Sequence, residues 1–213
     1  MNNFLRFSLI LLFFIPLHFS GQEEAEDYKT FGIGIVPQYA ISNGTRIDLD
    51  FRLNRKGHWL VLAPQFYLNV GNSDMWDFEE MVGAGIEVQH KLFFIDKPEP
   101  KGAYLAYGPV FQYFSVKEQG LAAYNFEEGG VEYIGLDEEL IQTRITKFGG
   151  NLMVGMQTVI SNFLYLDAYI GTGIRLSFDN RTSGLHGYYN DWWGDFGYSG
   201  TMIVAGIRFG VSL

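Results

Sequence analysis

The chain has 213 residues, of which 47% are hydrophobic, 17% aromatic and 18% charged, which is enough apolar material for one compact domain but not for two. The formal net charge of −9 excludes non-specific binding of nucleic-acid phosphates, because such binding needs clustered Lys and Arg. The absence of cysteine excludes a disulfide framework, a thiolate metal site and a lipidated N-terminal cysteine. The high content of glycine and aromatic residues, with 26 Gly, 13 Tyr and 19 Phe, favours strands and tight turns.

The first 21 residues have the pattern of a Sec-type signal peptide. Arg6 lies in a short polar head, an apolar run follows at 7–17, and Ser20 and Gly21 are small residues near the cleavage point. We therefore predict an exported protein with a signal peptide over 1–21, an acidic lead over 22–29 and one domain over 30–213. The alternative is a retained helical anchor, for which the apolar run is short.

The rest of the chain alternates with the two-residue period of β-strands. The clearest case is 46–53, where every even position is charged and every odd position is apolar. Alternation of this kind, interrupted by breakers such as Ser42-Asn43-Gly44, predicts an all-β fold of eight antiparallel strands. Each is long enough to cross a membrane at a tilt, which takes about 9 to 11 residues. The predicted ranges are 30–40, 45–54, 58–70, 80–94, 103–116, 143–160, 163–178 and 200–213.

The connections between these strands differ in length in a way that predicts an orientation. In outer-membrane barrels the periplasmic turns are short and the extracellular loops are long. The connections at 54–57, 96–102 and 161–162 are therefore predicted to lie in the periplasm with both termini. The loops at 71–79, 117–142 and 179–199, and the tight turn at 42–44, are predicted to lie outside.

The two faces of the predicted strands differ in polarity in the sense expected of a membrane barrel, with a charged inside and an apolar outside. Six basic and four acidic residues nearly cancel in a narrow interior, which predicts a packed polar plug and disfavours an open pore. The predicted plug comprises Arg46, Asp48, Asp50, Arg52, Glu87, Lys91, Lys147, Asp167, Arg175 and Arg208.

The opposite parity predicts a lipid-facing apolar band, and aromatic residues near strand ends predict an interfacial girdle. The band includes Ile33, Ile35, Leu49, Phe51, Leu60, Leu62, Phe66, Leu105, Tyr107, Phe111, Leu152, Val154, Ile170, Ile174, Ile203, Ile207 and Phe209. The predicted girdle includes Trp59, Tyr67, Phe93, Tyr104, Tyr113, Tyr165 and Phe178.

In strand count, loop asymmetry and closing strand, the chain from about residue 30 onward resembles the small eight-stranded outer-membrane barrels typified by the transmembrane domain of outer membrane protein A and by outer membrane protein X. The closing strand, Gly206-Ile207-Arg208-Phe209-Gly210-Val211-Ser212-Leu213, is similar to the C-terminal assembly signal of such proteins, but ends on Leu213 where Phe is usual. The resemblance implies insertion by the barrel-assembly machinery of a Gram-negative bacterium, of Bacteroidota type from the aromatic-rich, cysteine-free composition.

The sequence offers one candidate residue for catalysis. His186, near Ser183 and Asp191 in the last outer loop, is the one histidine placed where acyl transfer would need a base. We predict no catalytic residue, no cofactor site and no metal site. The third outer loop is strongly acidic, and we interpret it as a diffuse rim that divalent ions could bridge to lipopolysaccharide. Its acids are Glu118, Glu127, Glu128, Glu132, Asp137, Glu138 and Glu139.

The last outer loop is the most distinctive stretch because six aromatic residues lie close together in it. They suit recognition of a protein or a glycan, and equally a lid folded over the barrel mouth. The six are Tyr188, Tyr189, Trp192, Trp193, Phe196 and Tyr198.

The sequence thus favours a non-enzymatic outer-membrane barrel that acts through its outer loops as a structural, adhesive or complex-forming subunit. One alternative is an outer-membrane enzyme acting on lipid A or phospholipid, with His186 as its base. The other is a soluble lipocalin-like carrier, which would have the opposite polarity of inner and outer faces.

Overall fold

The computed structural model describes residues 29–53, 57–70, 79–95, 97, 99–181 and 195–213. Within them, eight strands form one closed antiparallel barrel in which each strand pairs with its neighbours in sequence and the last closes on the first. The predicted all-β, eight-stranded up-and-down barrel is therefore confirmed. The strands are β1 (Phe31–Ile35), β2 (Gly44–Arg52), β3 (His58–Val70), β4 (Glu80–Phe93), β5 (Gly102–Glu128), β6 (Val131–Val159), β7 (Leu164–Arg181) and β8 (Gly200–Ser212).

The barrel has two ends, which we name by what they carry. At the terminal end β1 begins, β8 ends, and the chain turns from β2 to β3, from β4 to β5 and from β6 to β7. The opposite end is the loop end. It carries the 3-10 helix Pro37–Ser42, the starts of β4 and β8, and the turn between β5 and β6. No helix in the described part of the chain is long and apolar enough to cross a membrane.

Uninterrupted registers fix which side chains point inward. Neighbouring strands pair residue for residue without a bulge, for example from His58↔Leu92 to Val70↔Glu80 and from Gly102↔Gln157 to Glu128↔Val131. One parity of each strand therefore faces the interior throughout its length. The predicted apolar band has the parity of the outer face, where Ile203, Ile174 and Ile170 are 72%, 61% and 58% exposed.

The first strand is shorter than predicted because Pro37 has no N–H to donate to a ladder. The chain instead forms the 3-10 helix, closed by Asn43 in the left-handed region at φ 52°. With its amide assigned so that the nitrogen faces the Ile207 carbonyl oxygen, at 3.0 Å, the Gln38 side chain continues the β1–β8 ladder for one step. Tyr39 packs against the aromatic cluster at the loop end of the barrel.

The predicted outer loop at 117–142 is not a loop. β5 and β6 continue their pairing from Lys117↔Gln142 to Glu128↔Val131 and turn at Gly129 and Gly130. These glycines have φ of 64° and 83°, which a tight hairpin turn requires and which side chains disfavour. Sequence reasoning missed the strands because charged residues occur at both parities, as in Asp137, Glu138 and Glu139 in succession, so that the alternation of polar and apolar positions is lost.

The predicted aromatic girdle is wrong for five of its seven members, which are inside the barrel. Only Tyr113 and Phe178 lie on the outer face, where they are 40% and 62% exposed. The others have inward parity and are at most 6% exposed, and an inward aromatic side chain near a strand end packs over the interior instead of meeting lipid. These five are Trp59, Tyr67, Phe93, Tyr104 and Tyr165.

Candidate functional site

The barrel interior holds a buried ion-pair network centred on Arg208 of β8. Its Nη1 lies 3.0 Å from Asp48 Oδ2 and 2.9 Å from Asp50 Oδ1, both on β2. Its Nε lies 3.1 Å from Asp167 Oδ2 on β7, and its Nη2 also contacts that oxygen. Because β8 lies between β1 and β7, this one guanidinium joins carboxylates across the seam where the barrel closes.

The network continues toward β4 in two directions. Lys91 Nζ lies 2.9 Å from Asp167 Oδ2 and 2.5 Å from Gln157 Oε1. On the other side, Arg46 Nε lies 2.6 Å from Asp48 Oδ1, and its Nη1 lies 2.5 Å from Glu87 Oε2.

Polar neighbours bind the remaining carboxylate oxygens. Tyr104 donates its hydroxyl to Asp167 Oδ1 at 2.7 Å, and Tyr165 donates to Asp50 Oδ2 at 3.2 Å. Asn151 donates its amide to Glu87 Oε1.

These ionic side chains are almost completely removed from solvent, with exposures of 0% to 2%. Three cations, Arg46, Lys91 and Arg208, contact four acids, Asp48, Asp50, Glu87 and Asp167, so the network carries 3 − 4 = −1. A charge in such a low-dielectric place is tolerated only when it is paired and hydrogen-bonded.

The other three predicted plug residues lie outside this network. Lys147 and Arg175 are buried nearer the loop end, where they donate to backbone carbonyls: Lys147 Nζ to Asp195 at 3.3 Å, and Arg175 Nη1 to Gly150 at 3.2 Å. Arg52 lies at the rim of the terminal end, where its Nη1 donates to the Lys97 carbonyl at 3.3 Å. Arg52 has the inward parity of β2 but is the last residue of that strand, so its part in the plug stays a prediction.

Two apolar layers close the interior above and below the ionic network. At the terminal end Trp59, Phe93, Tyr104, Ala106 and Met153 pack together, and Lys91 Nζ lies 4.0 Å from the centre of the Tyr104 ring. At the loop end the buried cluster comprises Tyr67, Met81, Phe114, Val116, Ile145 and Phe196. Sequence reasoning missed both layers, although the parity that placed Leu60 and Phe66 outside already placed Trp59 and Tyr67 inside.

Of the six predicted loop aromatics, two lie among the described residues. Phe196 is 7% exposed and its ring centre lies 5.0 Å from that of Phe114 and 6.5 Å from that of Tyr67. Tyr198 is half-buried and donates its hydroxyl to the Thr201 carbonyl at 3.1 Å. Phe196 therefore packs on the buried cluster at the loop end of the barrel, which is the arrangement that the lid interpretation expects. Tyr188, Tyr189, Trp192, Trp193 and the candidate base His186 lie outside the described residues.

The extended β5–β6 hairpin is the second candidate site, and we call residues 117–142 the ribbon. Its strands extend beyond the start of β4, where Glu80 pairs with Lys117, and beyond the end of β7, where Arg181 pairs with Thr143. Eleven residue steps from Lys117 to Glu128 correspond to about 36 Å of strand at roughly 3.3 Å per residue. All seven predicted rim acids lie on this ribbon.

The tip of the ribbon is held by stacked rings. The ring centres of Tyr124 and Phe126 lie 5.8 Å apart, and those of Phe126 and Tyr133 lie 5.4 Å apart. The Tyr124 ring covers Gly135 opposite it, where a Cβ would lie 2.5 Å from the ring. Cross-strand aromatic contacts of this kind stabilise a two-stranded hairpin, which is otherwise marginal in water.

The histidines of the wall form a hydrogen-bonded chain on its outer face. His58 Nδ1 lies 2.9 Å from His90 Nε2, and His90 Nδ1 lies 2.8 Å from the Tyr107 hydroxyl. Among the described residues no group of three or more His, Asp or Glu side chains is arranged to hold a metal ion.

Comparison with known proteins gives a distant structural likeness. No family model matches the chain, and no curated protein matches it. The crystal structure of CarO from Acinetobacter baumannii is 9% identical, with 89% of this chain and 100% of that chain covered, at a TM-score of 0.39. The structure of CarO2 from the same organism is 10% identical, with 87% and 99% covered, at a TM-score of 0.41.

Proposed function

We propose that this protein is a closed, non-enzymatic barrel of the bacterial outer membrane, with its termini in the periplasm, which acts through its external ribbon as a structural, adhesive or complex-forming subunit. Its lipid surroundings would be outer-membrane lipid and lipopolysaccharide, and the barrel-assembly machinery would insert it.

The observation that carries this proposal is the inverted polarity of the barrel. Arg208, Asp48 and Asp167 are at most 2% exposed, while large apolar side chains such as Ile203 and Ile174 on the outer face are 61% to 72% exposed. In water each such Ile would forfeit most of the roughly 1.5–3 kcal/mol that full burial contributes. A contiguous apolar surface around the whole wall is stable when lipid covers it, which disfavours the soluble-carrier alternative.

The height of the apolar outer face fits a bilayer. On β6 the outward residues from Phe148 to Met156 are apolar apart from one glycine, and they include Leu152 and Val154. Eight steps of about 3.3 Å at a tilt of roughly 40° span about 20 Å, close to the apolar band of about 25 Å in outer-membrane barrels.

The plug argues against transport through the lumen. Arg46, Asp48, Glu87 and Arg208 link opposite walls, and apolar layers close the interior on both sides. Because the interior is filled, any specific interaction has to take place on the outer surfaces. In the described part of the chain, the ribbon is the segment that extends furthest beyond the barrel wall.

Fractionation and surface proteolysis test the proposal together. The protein is expected in the outer-membrane fraction, with a gel mobility that changes on heating, as for a folded barrel. A Glu-specific protease added to intact cells is expected to cut at Glu127, Glu128 or Glu132. Recovery in the soluble periplasmic fraction, or protection of these sites until cells are lysed, would contradict the location or the orientation.

A further inference from the structure

The two long edges of the ribbon have no neighbouring strand within the described residues. On the β5 side, the Lys117 carbonyl accepts the last hydrogen bond, from the Glu79 N–H at 2.9 Å. Because backbone groups alternate between the two sides of a strand, the N–H and C=O of Gln119, Leu121, Ala123 and Asn125 point to the open side. On the β6 side, the Ile160 N–H donates to the Leu164 carbonyl, so the backbone groups of even-numbered residues point toward β7. In the ribbon, where β7 has ended, the N–H and C=O groups of the even-numbered β6 residues therefore point to the other open edge.

The two edges differ in charge. The β5 stretch from 119 to 126 reads Gln-Gly-Leu-Ala-Ala-Tyr-Asn-Phe and has no charged residue. The β6 stretch from 132 to 140 carries four acids, Glu132, Asp137, Glu138 and Glu139. Charged side chains on an exposed edge are a usual protection against pairing with another strand. The β6 edge has this protection, whereas the β5 edge lacks it.

We propose that the β5 edge of the ribbon, residues 119–125, binds an extended segment of another protein as an added strand, and that this segment is basic. The inference rests on the proposed function in that it identifies the chemistry of the partner. Main-chain hydrogen bonds to the open edge would give affinity, and side chains alternating along the added strand would give specificity.

The charge of the ribbon decides between a second copy and a different partner. Lys117 and seven acids give 1 − 7 = −6 over residues 117–142. Pairing two copies edge to edge would place two such ribbons side by side, and like charges across a pair of strands are destabilising. A basic strand is attracted instead.

The two faces of the ribbon predict the pattern of the added strand. Leu121, Ala123, Leu136 and Leu140 lie on the face that continues the outside of the barrel. Glu138 is the one acid on this face beside residues 119–125, with Glu127 and Glu132 nearer the tip, so the face next to the added strand is mainly apolar and favours apolar residues there. The opposite face carries the Tyr124 and Phe126 rings together with Glu118, Asp137 and Glu139. Arg or Lys on that face can stack on the rings and pair with the acids. The partner strand therefore alternates basic and apolar residues.

Proline substitutions on the two strands give a matched test. Ala123 and Leu136 are cross-strand partners, and the N–H of each points to an open edge, so Pro at either position removes no hydrogen bond between β5 and β6. The probe is a capped eight-residue peptide of alternating Arg and Val, labelled with a fluorophore. Its binding to the purified full-length protein in detergent micelles is measured by fluorescence anisotropy.

The expected result is that Ala123→Pro weakens binding by at least about tenfold, or about 1.4 kcal/mol, whereas Leu136→Pro changes it by less than about threefold. A peptide with the same charges but N-methylated at alternate residues is expected to lose binding. Equal weakening by both proline variants, undiminished binding of the N-methylated peptide, or no binding of the parent peptide would each overturn the proposal. A heat-dependent gel shift in both variants verifies that the barrel is folded.

This experiment can fail separately from the proposed function. Peptide binding is measured on purified protein, while the location is measured by fractionation and surface proteolysis of cells. A barrel that is in the outer membrane and exposes its ribbon but does not bind the peptide would retain the proposed function and overturn the strand addition.

Discussion

Replacing Arg208 by Met is the sharpest test of the plug. Arg208→Met keeps much of the side-chain length and removes the charge that contacts Asp48, Asp50 and Asp167. The network then changes from 3 − 4 = −1 to 2 − 4 = −2, and Asp50 retains the Tyr165 hydroxyl as its side-chain hydrogen-bond donor. Removing one partner of a buried ion pair costs about 3–5 kcal/mol, because the other charge stays buried.

The assay is urea unfolding of the barrel in lipid vesicles, followed by tryptophan fluorescence and the heat-dependent gel shift. Arg52→Met is the matched control, because Arg52 is on the same face of β2 but lies at the partly exposed rim, and we expect a change within about 0.5 kcal/mol.

A second substitution tests whether the loss is electrostatic. Asp50→Asn in the Arg208→Met background returns the network to 2 − 3 = −1. We expect it to recover about 1–3 kcal/mol, the usual coupling of residues in direct contact. If Arg208→Met costs no more than Arg52→Met, or if the second substitution adds to the loss, the ionic plug does not stabilise this barrel as argued.

Three further predictions concern the lumen, the lid and the ribbon. In a planar lipid bilayer the wild-type protein is expected to give no stable conductance steps, and a steady open channel would disprove the plug. Phe196→Ala is expected to cost about 1.5–3 kcal/mol because it removes a buried ring. Tyr198→Phe is expected to cost about 0.5–1.5 kcal/mol for its lost hydroxyl hydrogen bond, and both are measured by urea midpoints. The reverse order would contradict the assignment of Phe196 to a lid. Replacing both Gly129 and Gly130 by Ala is expected to cost about 1–2 kcal/mol per residue and to speed cleavage of the ribbon by a Glu-specific protease, with the barrel's gel shift unchanged. Unaltered cleavage would mean that the turn does not hold the ribbon together.

The aromatic residues at the strand ends show where reasoning from composition fails. Aromatic residues near strand ends are typical of an interfacial girdle, but this association takes no account of the inward parity of Trp59 and Tyr67. The two-residue period of β3 places Trp59 and Tyr67 on the inward side, together with Gln65. Gln65 is fully buried, as this parity predicts. Here the period of the strand was a better guide than the chemical type of the residue.

The sequence by itself determined the number of strands, their antiparallel order and which side of each faces inward. These features are local, because a period of two and a turn residue are both visible within about ten residues of chain. The charged residues at 46, 48 and 50 therefore identified an ionic interior before any strand was paired.

The tertiary structure alone decided which charges meet and how far the sheet extends. Arg208 and Asp48 are 160 positions apart and meet because the last strand closes on the first, which depends on register around the whole barrel. The acids of residues 117–142 suggested a loop, yet pairing that begins inside the barrel continues through them as a ribbon. A strand is stabilised by its neighbour across the ladder as well as by its own residues, and that neighbour is not visible in a local stretch of sequence.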